Sequence, residues 1–409
     1  MGDVGWDTSL VLDATGNPVV GYYDFTNGNL KVLHCNDPNC TGSGESIESP
    51  DTVGNVGGGA SLELDYLGNP VVSYFDGTNG NLKLLHCTDA NCAPGGDSIT
   101  SPDSTGDVAG NRTSLELDFI NPFVAYTREV HPFIQVHLVR CNDENCADGD
   151  DPIDVDGTPF FSISSPSLEV TISGDYTYSF YDGDNDGFYL FNCAGTTCTG
   201  GRVYGVGYGG AAFNSLTLDA ADHPVFAFSG QSYELKLMHC DDVACTGSNE
   251  SLSTPVGAGL IRYPSVVLDA SGYPVISYYA YPAGDLKLVR CNDQNCAGNN
   301  ETISTIDSMG DVGEYNSLAL DASGNPVVSY FDRTLGNLKI VHCGNPTCKG
   351  TAAGVGGIAG LPDVLGAKSN DGREQSSDRA NVALAVGVAF ALALAAAGLY
   401  KCTRAARRE

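Results

Sequence analysis

Fourteen of the chain's fifteen cysteines fall into C-x4-C pairs. The pairs are Cys35 with Cys40, Cys87 with Cys92, Cys141 with Cys146, Cys193 with Cys198, Cys240 with Cys245, Cys291 with Cys296 and Cys343 with Cys348. Two chemistries fit such pairs. Zinc is one, with His34, His86, His239 and His342 standing directly before the first cysteine. Zinc ligands would have to recur, however, and the same position holds Arg140, Asn192 and Arg290 in the other copies. Successive residues of a strand also face opposite sides, which splits such a ligand set. Disulfides fit better. The residues between the cysteines, such as Asn36-Asp37-Pro38-Asn39, read as a turn that brings two strand ends to bonding distance. Seven short-range bridges imply an oxidising compartment.

A second chemically distinctive stretch is Asp182-Gly-Asp184-Asn-Asp186-Gly187, which places oxygens at alternate positions and glycine at the sharp turn of a calcium loop. The ligand set is half complete, because Leu190 and Cys193 stand where carboxylates would close it. Calcium and an acidic hairpin turn both remain open, and no other cofactor is expected. No nucleophile elbow, phosphate loop or H-E-x-x-H motif occurs. Asp13, Asp65, Asp118, Asp219, Asp269 and Asp321 share one repeat position, which suits turn formation better than catalysis.

These residues sit in a repeated frame. Ser9 begins S-L-V-L-D-A-T-G-N-P-V-V-G-Y-Y-D, and related copies begin at Ser61, Ser114, Ser167, Ser215, Ser265 and Ser317. Each copy reads as a short apolar strand, a D-x-x-G-N-P turn, a β-branched and aromatic strand, a hairpin, a third strand ending at the first cysteine, and a weaker fourth strand. Such a period predicts an all-β, seven-bladed β-propeller; a β-solenoid is the rival, with shorter and more regular coils. The unit L-D-A-S-G-N-P-V-V resembles the strand–DxxGN–strand unit of the NHL and SBBP classes of propeller repeat. It departs from them in the proline after asparagine and in the cysteine pair. The resemblance implies a propeller and carries no catalytic residue with it. The Asp-box order of sialidase-type propellers is absent.

Residues just before each Ser-Leu vary while the strand that follows does not. Trp6, Arg112, Phe213, Arg262, Tyr263 and Tyr315 belong to this set and are expected to ring a ligand-binding face near the axis. The hairpins after the second strand should share that face.

The formal charge is −30, from 20 basic and 50 acidic side chains, which argues against a nucleic-acid partner. Residues 382–400 carry no charge and are long enough to cross a bilayer, and Lys401, Arg404, Arg407 and Arg408 follow at once. The expected organisation is a propeller over 1–363, a flexible stalk over 364–380, a transmembrane helix over 381–400 and a basic cytoplasmic tail over 401–409. Cys402 lies at the inner boundary, where palmitoylation is chemically plausible. Met1 falls inside a repeat, so an export signal is expected upstream. Asn39, Asn111, Asn249 and Asn300 head N-glycosylation sequons. The functional expectation is a single-pass, cell-surface recognition or adhesion module that binds a protein or glycan without catalysis. A glycan-processing hydrolase or lyase, and a structural cell-surface component, are the alternatives.

Overall fold

A computed structural model describes most of residues 2–357, apart from short segments at 42–43, 105–107, 148–152, 156–159, 161–162, 165, 172–173, 186, 195–196, 206–212, 231, 247–248, 258, 299 and 350–354. All of these residues lie in one compact unit, Met1–Gly360. The expected stalk, transmembrane helix and tail, with Cys402, lie outside the described residues. Among the described residues no helix is long and apolar enough to cross a membrane.

The chain forms seven four-stranded antiparallel sheets, each built from consecutive strands. Blade 1 consists of Val4–Leu12, Pro18–Asp24, Asn29–His34 and Ser46–Asp51, from the axis outward. Blades 2 to 7 repeat the plan, over Val56–Asp103, Val108–Val155, Ser167–Gly205, Asn214–Val256, Leu260–Asp307 and Val312–Gly357. The protein is a seven-bladed β-propeller, as the repeats predict. Blade 7 supplies its own outer strand, Val355–Gly357. The sequence alone suggests the stretch from Ile358 to Asp363 for that strand, and this stretch lies outside the described residues.

Proline starts the second strand of six blades, at its first or second residue, and Pro-Val-Val-Gly-Tyr-Tyr-Asp of blade 1 is buried throughout. Strands normally alternate between core and solvent. Here both faces are covered by neighbouring blades, so apolar residues run continuously. The core accordingly lies between blades. Val19, Leu30 and Val32 of blade 1 pack with Leu62, Val72 and Tyr74 of blade 2. At the seam, Leu10, Val20 and Tyr22 meet Val327, Leu338 and Ile340 of blade 7.

A belt of serines closes the ring. The Ser9 hydroxyl accepts the Leu62 N–H at 2.9 Å. Ser61, Ser114, Ser167, Ser215 and Ser265 repeat this bond to Leu115, Leu168, Leu216, Val266 and Leu318. Ser317 completes the circle by accepting the Leu10 N–H at 3.1 Å. The seam is held further by Val4 N–H donating to Gly336 O at 3.0 Å and by the Thr8 hydroxyl donating to Tyr315 O at 2.7 Å. Among the described residues no strand crosses from one terminal blade to the other, so these bonds and the apolar contact join them.

All seven cysteine pairs are disulfides, with Cα–Cα separations from 4.0 to 5.1 Å. Cys35 is bonded to Cys40, Cys87 to Cys92, Cys141 to Cys146, Cys193 to Cys198, Cys240 to Cys245, Cys291 to Cys296 and Cys343 to Cys348, as the spacing predicts. The expected turn between the cysteines forms in six of the blades. There the N–H of Cys40, Cys92, Cys146, Cys245, Cys296 and Cys348 donates to the carbonyl three residues back, and each of these cysteines has a left-handed backbone. Blade 4 departs from the plan. Cys198 lies on the fourth strand, directly opposite Cys193 on the third, so this bridge links two laddered strands. The cause is local. An Asp or Asn follows the first cysteine by two positions in the other six copies, as Asp37 does, and its side chain caps the turn. Blade 4 has glycine at that position.

The histidines before the pairs serve another purpose. Each is bonded through Nε2 to the turn aspartate of its own blade, as in His34–Asp13 (3.0 Å) and His342–Asp321 (2.9 Å). Through Nδ1 each reaches the disulfide loop of the next blade, as in His34–Asn91 (2.9 Å) and, across the seam, His342–Asn39 (3.1 Å). Arg290 does the same with its guanidinium, bonding Asp269 at 2.6 Å and Pro346 O at 3.4 Å. The position needs a two-ended polar clamp rather than a metal ligand, which is why histidine and arginine interchange there. The aspartates are turn formers too: Asp13 Oδ1 accepts Thr15 and Asn17 N–H. Desolvation pushes the Asp13 carboxyl up, but hydrogen bonds from His34, Thr15 and Asn17 outweigh it and hold the group below its ordinary value.

Candidate axial binding cavity

The innermost strands do not run straight into the mouth of the ring. In blades 1, 2, 6 and 7 a β-bulge falls between the third residue before the repeat serine and the serine itself. The residue two places before the serine is then left-handed: Asp7 (φ 50°), Gly59 (59°), Tyr263 (50°) and Tyr315 (52°). For a tyrosine this is a costly conformation. It is held from behind, since the residue one place before the next blade's serine grips the strained carbonyl. Thr8 bonds Tyr315 O at 2.7 Å, Thr113 bonds Gly59 O at 2.7 Å, and Asn316 bonds Tyr263 O at 2.8 Å.

The result is a cavity of about 520 Å³, to which all seven blades contribute. Trp6, Asp7, Arg112, Phe213, Tyr263 and Tyr315 are among its lining residues. Five of the six residues singled out from sequence therefore meet here. Arg262 does not line it; its guanidinium lies over the Tyr281 ring, 4.6 Å from the centroid. That contact belongs to a pattern. The third residue before the serine pairs with the first residue of the blade's own hairpin: Trp6 stacks on Phe25 (4.7 Å), Arg262 covers Tyr281, and Glu314 binds Arg333 (2.9 Å). In these three blades the two positions complement each other, a signal present in the sequence but visible only when they are read as pairs. The hairpin does share the face with the cavity, as expected.

The aromatic residues form a fan. Ring centroids are 4.3 Å apart for Phe213–Tyr263, 4.7 Å for Tyr263–Tyr315 and 5.4 Å for Trp6–Tyr315. Trp6 and Tyr315 are stacked, with 23° between their planes, while Phe213–Tyr263 and Tyr263–Tyr315 meet tilted, at 48° and 46°. Trp6 is covered on both sides, by Phe25 and Tyr315. Its Nε1 is buried with no hydrogen-bond acceptor among the described residues. The fan occupies blades 5, 6, 7 and 1.

The opposite sector is polar and open. Gly59 carries no side chain at blade 2, where a Cβ would lie 2.6 Å from Asn111 O, so the backbone of blade 3 comes close. Asp7 and Arg112 flank Gly59 in the lining. Asp7 accepts the Gly59 N–H at 2.9 Å. Desolvation pushes the Asp7 carboxyl up, and the Gly59 N–H and the Arg112 charge pull it partly back. Asp7 and Arg112 attract one another without forming a salt bridge, and among the described residues the Arg112 guanidinium has no partner.

Next along the innermost strand, blades 2, 3 and 4 carry Glu63, Glu116 and Glu169 where the other blades have Val11, Thr217, Val267 and Ala319. Desolvation pushes Glu63 up to about 7; desolvation and then the charge of Glu63 push Glu169 up to about 8. Blades 2 and 4 are not neighbours, so these two carboxyls sense each other across the axis. Sequence reading passed over them because a glutamate on a short strand looks like any solvated charge.

Asp182, the first residue of the acidic loop, is buried and accepts the N–H of Asp184 (2.9 Å) and Asn185 (3.2 Å) on one oxygen and Asn185 Nδ2 (2.6 Å) on the other. Asp24 and Asp76 hold their hairpins in the same way. Asp186 lies outside the described residues.

No family model and no curated protein matches the sequence. The likeness to NHL and SBBP repeats thus rests on the repeat unit alone. Among solved structures, a puromycin hydrolase mutant complexed with PGG matches with a TM-score of 0.56 at 12% identity, over 89% of this chain and 55% of its own. AofleA from Arthrobotrys oligospora, an arginine-to-alanine mutant, matches with a TM-score of 0.48 at 10% identity, over 87% of this chain and 88% of its own. A Hadza microbial sialidase matches with a TM-score of 0.48 at 10% identity, over 77% and 71%. At these identities the likeness establishes the propeller fold alone.

Proposed function

We propose that this protein is a recognition propeller that binds a protein or glycan ligand in the axial cavity without transforming it, and that a C-terminal helix holds it at the cell surface. The observation that carries the reading is the contrast between frame and cavity. Serine belt, turn aspartates and disulfides repeat around the ring, whereas the positions two and three before the repeat serine give the cavity Trp6, Asp7, Arg112 and Phe213, each found there in one blade only. A frame needs no unique side chains; a ligand site does. The lining serines Ser167, Ser215, Ser265 and Ser317 each accept a neighbouring backbone N–H, so their oxygens help to hold the ring together. The seven disulfides accord with an extracellular ring.

The test is to screen purified full-length protein against glycan and peptide arrays and to follow each captured ligand by mass spectrometry. Capture that Tyr263→Ala abolishes, with the ligand recovered unchanged, is the expected result. Recovery of a cleaved or eliminated product would replace this reading with the hydrolase or lyase. Membrane attachment is tested separately, by fractionating cells that express the chain with and without residues 381–409.

A further inference from the structure

The two sectors of the cavity narrow the ligand further, on the premise that the cavity is the binding site. A flat sugar ring wants an open aromatic face, but Trp6 is covered on both faces and the tyrosines are packed into the fan. A simple cation would meet the Arg112 charge, and a simple anion would meet Asp7. What the open sector offers is one charge of each sign, in the same lining, with no salt bridge between them. Opposite charges that can reach each other form short, strong charge-assisted hydrogen bonds. Here Gly59 separates them: its N–H donates to the Asp7 carboxylate, and the Asn111 and Arg112 backbone fills the place where its Cβ would stand.

We propose that the axial cavity binds a small zwitterion of the α-amino-acid class, its ammonium on Asp7, its carboxylate on Arg112 and its side chain toward the aromatic fan. The ligand completes the ion pair that the ring holds open, and it arrives with no net charge to be desolvated alone. The ammonium also favours the ionised form of Asp7, offsetting the burial that opposes it.

Trp6 is the sole tryptophan of the chain, so its fluorescence reports on this cavity and nowhere else. The experiment titrates the full-length protein with free amino acids to millimolar concentration, alongside their N-acetyl and methyl-ester derivatives and neutral monosaccharides. The expected result is saturable change with one or more free amino acids. Blocking either charge of the ligand, Asp7→Asn, or Arg112→Gln should each weaken binding roughly tenfold or more. Asn tolerates the left-handed backbone of Asp7 and can still accept the Gly59 N–H, so this variant keeps its fold. Circular dichroism of both variants confirms that any loss is local. Saturation by sugars or singly blocked derivatives, indifferent to both substitutions, would overturn the zwitterion and leave the axial site standing. Emission that no array-captured ligand and no amino acid changes would overturn both.

Discussion

Removing one hydroxyl from the serine belt at the seam should loosen the whole ring. In Ser317→Ala the Leu10 N–H loses the acceptor that stands 3.1 Å away. The donor is partly shielded, so the loss should cost about 1–2 kcal/mol, the usual penalty for an unpaired amide. An unfolding entropy of roughly 2.1 cal/mol/K per residue gives a ring of this size about 0.75 kcal/mol/K, so the melting temperature should fall by about 1–3 °C. Ser308→Ala, at an exposed position, is the control and should change nothing. Ser61→Ala removes the equivalent bond inside the ring, where covalent linkage persists between blades. Its melting shift should be similar, but only Ser317→Ala should speed amide exchange at Leu10 and at Val4, which bonds Gly336 across the same seam. The reasoning fails if Ser317→Ala melts with the control, or if exchange at Leu10 is unaltered.

Three other outcomes follow from the geometry. Glu63 and Glu169 titrate higher folded than unfolded, so the folded ring binds more protons, and stability should fall as pH rises from about 4.5 to about 8. Glu63→Gln with Glu169→Gln should flatten that slope in urea titrations at several pH values; an unchanged slope would place the effect elsewhere. His342→Arg should unfold close to wild type, because Arg290 fills the same role, whereas His342→Ala should cost about 1 kcal/mol by chemical denaturation. Gly59→Ala should destabilise by more than about 1 kcal/mol and quench ligand binding, since it adds a clash with Asn111 O to a left-handed backbone.

The fold was legible because the repeat carries it: turn, hairpin and cysteine pair recur often enough to define a blade and count seven. The bonds between blades were not. Ser9 is conspicuous in the sequence, yet its partner is Leu62, and only the packing of one blade on the next brings them together. His34 suggested zinc because cysteine followed it, while its actual partners lie in a turn behind it and a loop of the following blade. The cavity was partly legible. Variation against a constant frame picked out Trp6, Arg112, Phe213, Tyr263 and Tyr315, but not Asp7, whose carboxylate looked like one more acidic surface group. Arg262 separated from Tyr263 because the bulge turns adjacent residues to different neighbours, a backbone irregularity that no side-chain pattern announces.

Fourteen cysteines in near-identical surroundings would be expected to scramble during oxidation. Each bonded pair is only five positions apart, so its thiols meet before those of any other repeat come within reach. Correct pairing is therefore a property of each hexapeptide and does not wait for the ring. New blades could be copied into such a gene without multiplying the ways its product mispairs.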